Sequence, residues 1–147
     1  MREYFPADPA AEAADPLIYE VFEWPGYGLA TDLMVTVTAI HPGAVGGVAH
    51  HTKGHFHRDP DGAELVVGLA GEGVLEMVDR SGHRRAEPLT PGVHVTVAPG
   101  WAHRVLNPGA VPLLYLSVSS AHIGHDYEGV RMAGWIVGMP SAHAPAP

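Results

Sequence analysis

The stretch HHTKGHFH, His50 to His57, holds four of the eleven histidines in a chain of 147 residues. Imidazole is the side chain that metals use most often. In an extended segment, side chains two apart share a face, so His55 and His57 project together while Phe56 points the other way. Two imidazoles so placed can reach one ion. A carboxylate follows at Glu64, across the turn RDPDG and at the start of an apolar run, where a lone charge is costly unless something pairs with it. His103, in the segment PGWAHRVLN, comes from far along the chain, as a ligand from a separate strand of a barrel should. The chain has no cysteine, so thiolate sites, disulfides and cysteine nucleophiles are excluded together. Three imidazoles and one carboxylate suit Fe, Mn, Ni, Co or Zn, and spacing does not choose among them.

The other histidines have plainer readings. His50 has the parity opposite to His55 and is expected to face outward, whereas His51 shares the parity of the pair and is weighed as a pocket residue. His83 sits in a turn, His143 in the C-terminal tail, and His94 precedes the second cluster and is open to either reading.

Such a site needs strands to hold it. Gly 18 and Pro 14 cut the chain into short pieces, and almost no stretch keeps apolar residues three and four apart. The pattern predicts an all-β chain. Candidate strands are LIYEVFE from Leu17, LMVTVTAI from Leu33, AELVVGLA from Ala63, GVLEMVD from Gly73, VHVTVA from Val93, VPLLYLSV from Val111 and GWIVGM from Gly134. Turn signals such as HPGAVGG, DRSGH, TPG and NPG lie between them, at a spacing that fits a sandwich or barrel. The whole chain, 1–147, is expected to form a single domain. An N-terminal arm, 1–16, contains PADPAAEAADP, a loop or short helix, and the tail 141–147 has almost nothing to bury and is expected to be disordered.

Sixteen acidic and eight basic residues give a formal charge of −8, which repels a phosphate backbone, so a nucleic-acid partner is not expected. No apolar run approaches the roughly 18 residues of a membrane helix, and MREYFPADPA lacks the layout of a signal peptide. The expectation is a cytoplasmic protein that acts on a small molecule.

Gly54, the His55 and His57 pair, Glu64, Gly71, and then the PG step with His103 and Asn107 resemble the two motifs of the cupin superfamily. The resemblance implies a double-stranded β-helix, the jelly-roll barrel, with a metal in its mouth. TKGHFH, Glu64, LTPGVHVTVAPGWAHRVLNPG and GHDY at Gly124 to Tyr127 are further similar to the metal-dependent, cupin-type glucose-6-phosphate isomerases of archaea and some bacteria.

That resemblance implies metal ligands at His55, His57, Glu64 and His103, with iron the first choice of ion. It also implies substrate phosphate near Thr38, Thr52 and Gly54, with Lys53 adjacent to supply a positive charge, and a sugar chain near His125 and Tyr127. Glu64 would move the proton in an aldose–ketose exchange, with a hydride shift between the two carbons, which needs no base, left open; His125 and Tyr127 would assist, and a homodimer is expected. Strict alternation would turn Lys53 rather than Thr52 toward the ligand, so a bulge is expected near Gly54 if both are to serve.

The pattern departs from the family where tyrosines give way to Val66, Gly100 and Ser119, which removes hydroxyls from the expected sugar pocket. Two other readings stay open on that account. One is a cupin isomerase or dioxygenase for a different carbonyl or enol substrate; the other is a non-catalytic metal or sugar binding module.

Overall fold

The period-two patterns of the sequence become strands in the computed structural model, which describes residues 16–24 and 32–132. In chain order these are β1 (Tyr19–Glu23), β2 (Leu33–Ile40), β3 (Ala44–Val45), β4 (Val48–His51), β5 (Phe56–His57) and β6 (Glu64–Ala70). They are followed by β7 (Gly73–Asp79), β8 (Arg84–Leu89), β9 (His94–Val97), β10 (Trp101–Asn107), β11 (Leu113–Ser120) and β12 (His125–Asp126), then by one short helix, α1 (Tyr127–Met132). The strand expected from Gly134, the tail 141–147 and all of the N-terminal arm but Pro16 lie outside the described residues.

Every strand pair is antiparallel. One sheet runs β1-β2-β11-β6-β9 and the other β3-β4-β10-β7-β8, with β5 and β12 forming a separate two-stranded ribbon. Neighbours far apart in sequence, such as β2 with β11 and β4 with β10, are the signature of the jelly roll. The chain is therefore all-β with the expected double-stranded β-helix architecture.

The two sheets close over one core. Ile40, Val66, Val97, Leu113 and Tyr115 come from the first sheet and meet Leu75, Met77, Leu89 and Val105 of the second. Each aliphatic side chain removed from water here contributes about 1.5–3 kcal/mol. A smaller cluster of Phe56, Val78, Ala102 and Val130 joins the ribbon and α1 to the outer side of the second sheet. Asp126 caps α1, accepting a hydrogen bond on Oδ1 from the Gly129 N–H at 3.0 Å.

β10 and β8 escaped the sequence reading for different reasons. In β10 the residues of both faces are buried, so WAHRVLN shows no alternation of apolar and polar residues. Arg104 on its outer face pairs with Glu76 of β7, with Nη2 2.8 Å and Nε 2.9 Å from Oε2, which turns its neighbours His103 and Val105 inward. The edge strand β8, RRAEPL, is polar and carries Pro88, which an edge tolerates.

Asn107 ends β10 by bonding three backbone groups: Nδ2 donates to the carbonyls of Ile40 at 2.8 Å and Val111 at 2.9 Å, and Oδ1 accepts from the Gly109 N–H at 3.0 Å. Gly68 marks a closer approach. A Cβ there would overlap the Thr90 backbone carbonyl, which cannot move aside as a flexible side chain can. Gly68→Ala is expected to cost about 1–3 kcal/mol through overpacking, seen in a thermal melt as a midpoint lowered by several degrees. An unchanged midpoint would mean that β6, whose register against β11 shifts between Ala70 and Gly68, relaxes freely there.

Candidate metal centre

Three separate segments deliver the four donors. His55 and His103 face each other in an isolated antiparallel bridge, with His55 N–H donating to the His103 carbonyl at 3.3 Å and His103 N–H to the His55 carbonyl at 3.1 Å. His57 lies on β5, two residues on, and Glu64 opens β6 on the inward side, paired with Ser119 and Val97. The candidate ligand atoms of His55, His57, Glu64 and His103 all lie within 4.8 Å of one another.

The hydrogen bonds around these groups favour a cation. His57 Nδ1 donates to the Gly62 carbonyl at 3.1 Å, so this nitrogen carries a proton and Nε2 is left to face Glu64 Oε2 at 3.2 Å. A bond between Nε2 and the carboxylate then requires a second proton on the ring. Burial disfavours that charge, but the bonds to Glu64 and Gly62 outweigh it and raise the His57 pKa.

His103 Nε2 also stands 3.2 Å from Glu64 Oε2. Burial alone would push the Glu64 carboxyl up, yet the surrounding imidazoles, His103 first, hold it well below the usual carboxylate range. Burial, aided by His103 and His125, keeps His55 neutral by pushing its pKa well down. His55 Nε2 and His103 Nδ1 are buried with no hydrogen-bond partner, a cost of about 1–3 kcal/mol each that ligation at His55 would remove. A neutral imidazole with an unbonded ring nitrogen beside an ionised carboxylate is a donor set that fits a divalent transition metal.

The donors open onto a cavity. Its wall includes His55, Glu64 and His103 together with Thr38, Thr52, Lys53, His125 and Tyr127. β4 ends at His51 and regular pairing resumes only at His55, so alternation lapses over Thr52–Gly54 and both Thr52 and Lys53 reach the cavity. Gly54 is buried in that bend and does not line the cavity. The β5–β12 ribbon pairs His57 with His125, which sets the His125 ring edge-on to His55, centroids 4.2 Å apart. Tyr127 follows at the start of α1, with Lys53 Nζ 5.7 Å from its ring centre.

The same lapse overturns the outward reading of His50 and the parity argument for His51 as a pocket residue, leaving the plainer reading of His51. His50 is buried, on the face it shares with Asn107, with Nδ1 donating to the His41 carbonyl at 3.1 Å. His51 is fully buried on the opposite face beside Leu106, away from the cavity, and its Nδ1 donates to the Thr52 carbonyl at 2.8 Å. Counting parity across an irregular segment gave each the wrong side. His94 is exposed on β9, His83 is exposed and bonded to Asp79, and His143 lies outside the described residues.

Of the three positions where tyrosine gives way, only Val66 lines the cavity. Ser119 is buried beside Glu64 without lining it, and Gly100 is exposed in the turn before β10 at φ 81°. The sequence reading also missed Thr36, Tyr115 and Ser117, which line the cavity. Their signal was present: they occupy the inward parity of β2 and β11, where hydroxyl side chains at Thr36, Thr38, Ser117 and Ser119 interrupt the apolar residues expected of a buried face.

Residues 10–141 match the family model "Glucose-6-phosphate isomerase (GPI)". The chain is 38% identical over 121 residues to the glucose-6-phosphate isomerase of Thermococcus kodakarensis, covering 82% of this chain and 64% of that protein. It is likewise 38% identical over 124 residues to that of Pyrococcus horikoshii, covering 84% and 66%. The chain thus spans about two thirds of the length of these relatives.

Among solved structures, an oxalate oxidase superposes with a TM-score of 0.60 at 16% identity, over 74% of this chain and 54% of that one. A cupin domain protein of Halorhodospira halophila gives 0.58 at 19% identity, over 80% and 77%. These distant likenesses identify the fold as the cupin barrel, and on the sequence match the chain belongs to the glucose-6-phosphate isomerase (GPI) family.

Proposed function

We propose that this chain is a metal-dependent aldose–ketose isomerase that interconverts glucose 6-phosphate and fructose 6-phosphate. The observation that carries this reading is the convergence of three imidazoles and an ionised carboxylate at a cavity that also presents threonine hydroxyls and Lys53. Both relatives named above carry the name of that activity.

A divalent ion held by His55, His57, Glu64 and His103, iron first and Mn, Ni, Co or Zn as alternatives, supplies Lewis acidity that favours negative charge on neighbouring oxygens. The side chains do the rest. Glu64, ionised and inside the cavity wall, takes the proton from C2 of the open-chain aldose and returns it to C1, while a hydroxyl proton passes from O2 to O1. His125, beside His55 and on the same wall, stands where it can relay that second proton or assist ring opening. Tyr127 bounds the open chain, and Lys53 offers a point charge to the phosphate. Val66 in the wall favours one other reading, a related isomerase whose carbonyl substrate carries a different tail.

The test is a coupled assay of fructose 6-phosphate isomerisation on protein stripped of metal and reloaded with Fe, Mn, Ni, Co or Zn. Metal-restored turnover supports the reading. One tightly bound ion with no turnover would move the search to other carbonyl substrates.

We also infer a homodimer packed through the outer face of the first sheet. Phe22, Val37, Leu116 and Val67 form one transverse outward row across β1, β2, β11 and β6, and Phe22 is 58% exposed. Such a run of apolar side chains on one face is what an interface covers. Leu116→Asp is expected to convert a dimer to a monomer in light scattering while the metal content stays the same. A monomeric parent would sink the idea. Among the described residues no helix is long and apolar enough to cross a membrane, and a phosphorylated sugar as substrate goes with a cytoplasmic location.

A further inference from the structure

Val66 leaves the cavity without the hydroxyl that a tyrosine there would bring, yet the adjoining strand holds one. Tyr115 on β11 faces inward from the row next to that of Val66, which pairs with Ser117. Its side chain lies in the cavity wall with 7% of the residue exposed. Tyr115 stands directly opposite Thr38 across the β2–β11 pair, and both line the cavity together with Thr52.

Thr52 Oγ1 accepts from the Val105 N–H at 3.1 Å, which fixes that hydroxyl at the cavity wall. A phenol carries one proton to donate, and the Tyr115 hydroxyl, beside Thr38, can offer it to a ligand in the cavity. The neighbouring hydroxyls of Thr36 and Ser117 are committed to each other at 2.8 Å. Burial pushes the Tyr115 phenol far above its ordinary range, so it stays a neutral donor.

Position fixes what it would donate to. Glu64 pairs with Ser119, and Tyr115 lies four residues back along β11, about 13 Å of strand. An open six-carbon chain with its carbonyl end at the four donors points its far end toward this row, with side chains reaching in from both ends. Three hydroxyl-bearing side chains line the cavity there, from β2, β11 and the segment after β4.

We propose that Tyr115 is a specificity-determining residue that, with Thr38 and Thr52, binds the terminal phosphate of the substrate and replaces the hydroxyl absent at Val66. This rests on the sugar-phosphate reading and assigns its anion end. A neutral donor set of this kind suits a tetrahedral oxyanion, whose charge strengthens each bond to about 1.5–3 kcal/mol.

The test uses full-length, metal-loaded protein and two open-chain probes that cannot isomerise, glucitol 6-phosphate and glucitol. Calorimetry on Tyr115→Phe is expected to show affinity for glucitol 6-phosphate lowered roughly tenfold or more, with glucitol unaffected and metal content equal to the parent. Fructose 6-phosphate kinetics should show KM raised by a similar factor and kcat little changed. Thr38→Val, which removes the hydroxyl directly across from Tyr115, should weaken the phosphate compound selectively as well. Unchanged affinity in Tyr115→Phe, or an equal loss for both probes, overturns the assignment while leaving the isomerase reading in place. A parent protein that binds neither probe overturns the sugar-phosphate reading and this assignment together.

Discussion

His103→Ala is expected to abolish stable metal binding and, with it, isomerase turnover. The side chain contributes one of four candidate donors, and its Nε2 stands 3.2 Å from Glu64 Oε2, so its removal takes away a ligand and also a group that holds the carboxylate ionised. Altering a residue that merely supports a metal ligand costs about 10–100-fold in affinity, and deleting a ligand costs more. Turnover should fall by a factor on the order of 10³, the scale of losing electrostatic stabilisation of developing charge. The measurement pairs metal content by elemental analysis after gel filtration with the coupled assay. His83→Ala is the control, since His83 is exposed and bonded only to Asp79 at the β7–β8 turn. A His103→Ala protein that kept one metal per chain would exclude His103 as a necessary ligand.

His103 also shows why part of the site could be read from sequence and part could not. The donor set was legible because few residue types ligate metals and the His55 and His57 spacing is fixed by strand geometry over two residues. Its strand was not legible: β10 buries both faces, and His, Arg and Asn inside it break the pattern that marks β2 or β9. Parity also fails across irregular backbone. The lapse over Thr52–Gly54 put His50 and His51 on the wrong sides and made the conflict between Thr52 and Lys53 apparent rather than real.

Tyr115 was hidden for a third reason. Within VPLLYLSV a tyrosine on the inward parity looks like core, and it does belong to the core cluster. Only the barrel, which sets Thr38 of β2 opposite it and brings the segment after β4 to the same cavity, shows that it shares a wall with Thr38 and Thr52. Residues that act through one another across separate strands leave no local trace in the chain. The alternation of β9, by contrast, was legible from Val93, Val95 and Val97 against His94 and Thr96, whereas β6 of the same sheet breaks it where its register against β11 shifts.

Glu64→Gln separates two roles that one side chain is expected to combine. Glutamine keeps the shape and one acceptor oxygen, so the fold should tolerate it, but it has no negative charge to offer a cation and cannot take a proton. With the metal supplied in excess, so that weakened binding is compensated, kcat should still fall by about 10²–10⁴, the usual value of a positioned general base. Glucose 6-phosphate deuterated at C2 sharpens the result. Proton transfer through the Glu64 carboxylate lets label exchange with water during turnover, so the parent protein should release deuterium and the variant should not. Retention of the label in fructose 6-phosphate at C1 would instead mean that hydrogen passes directly between the carbons. In that case the carboxylate serves as a ligand alone, and metal-saturated Glu64→Gln should recover much of the parental rate. The two readings therefore predict opposite outcomes from the same pair of proteins, one in the fate of the label and the other in the rate at saturating metal.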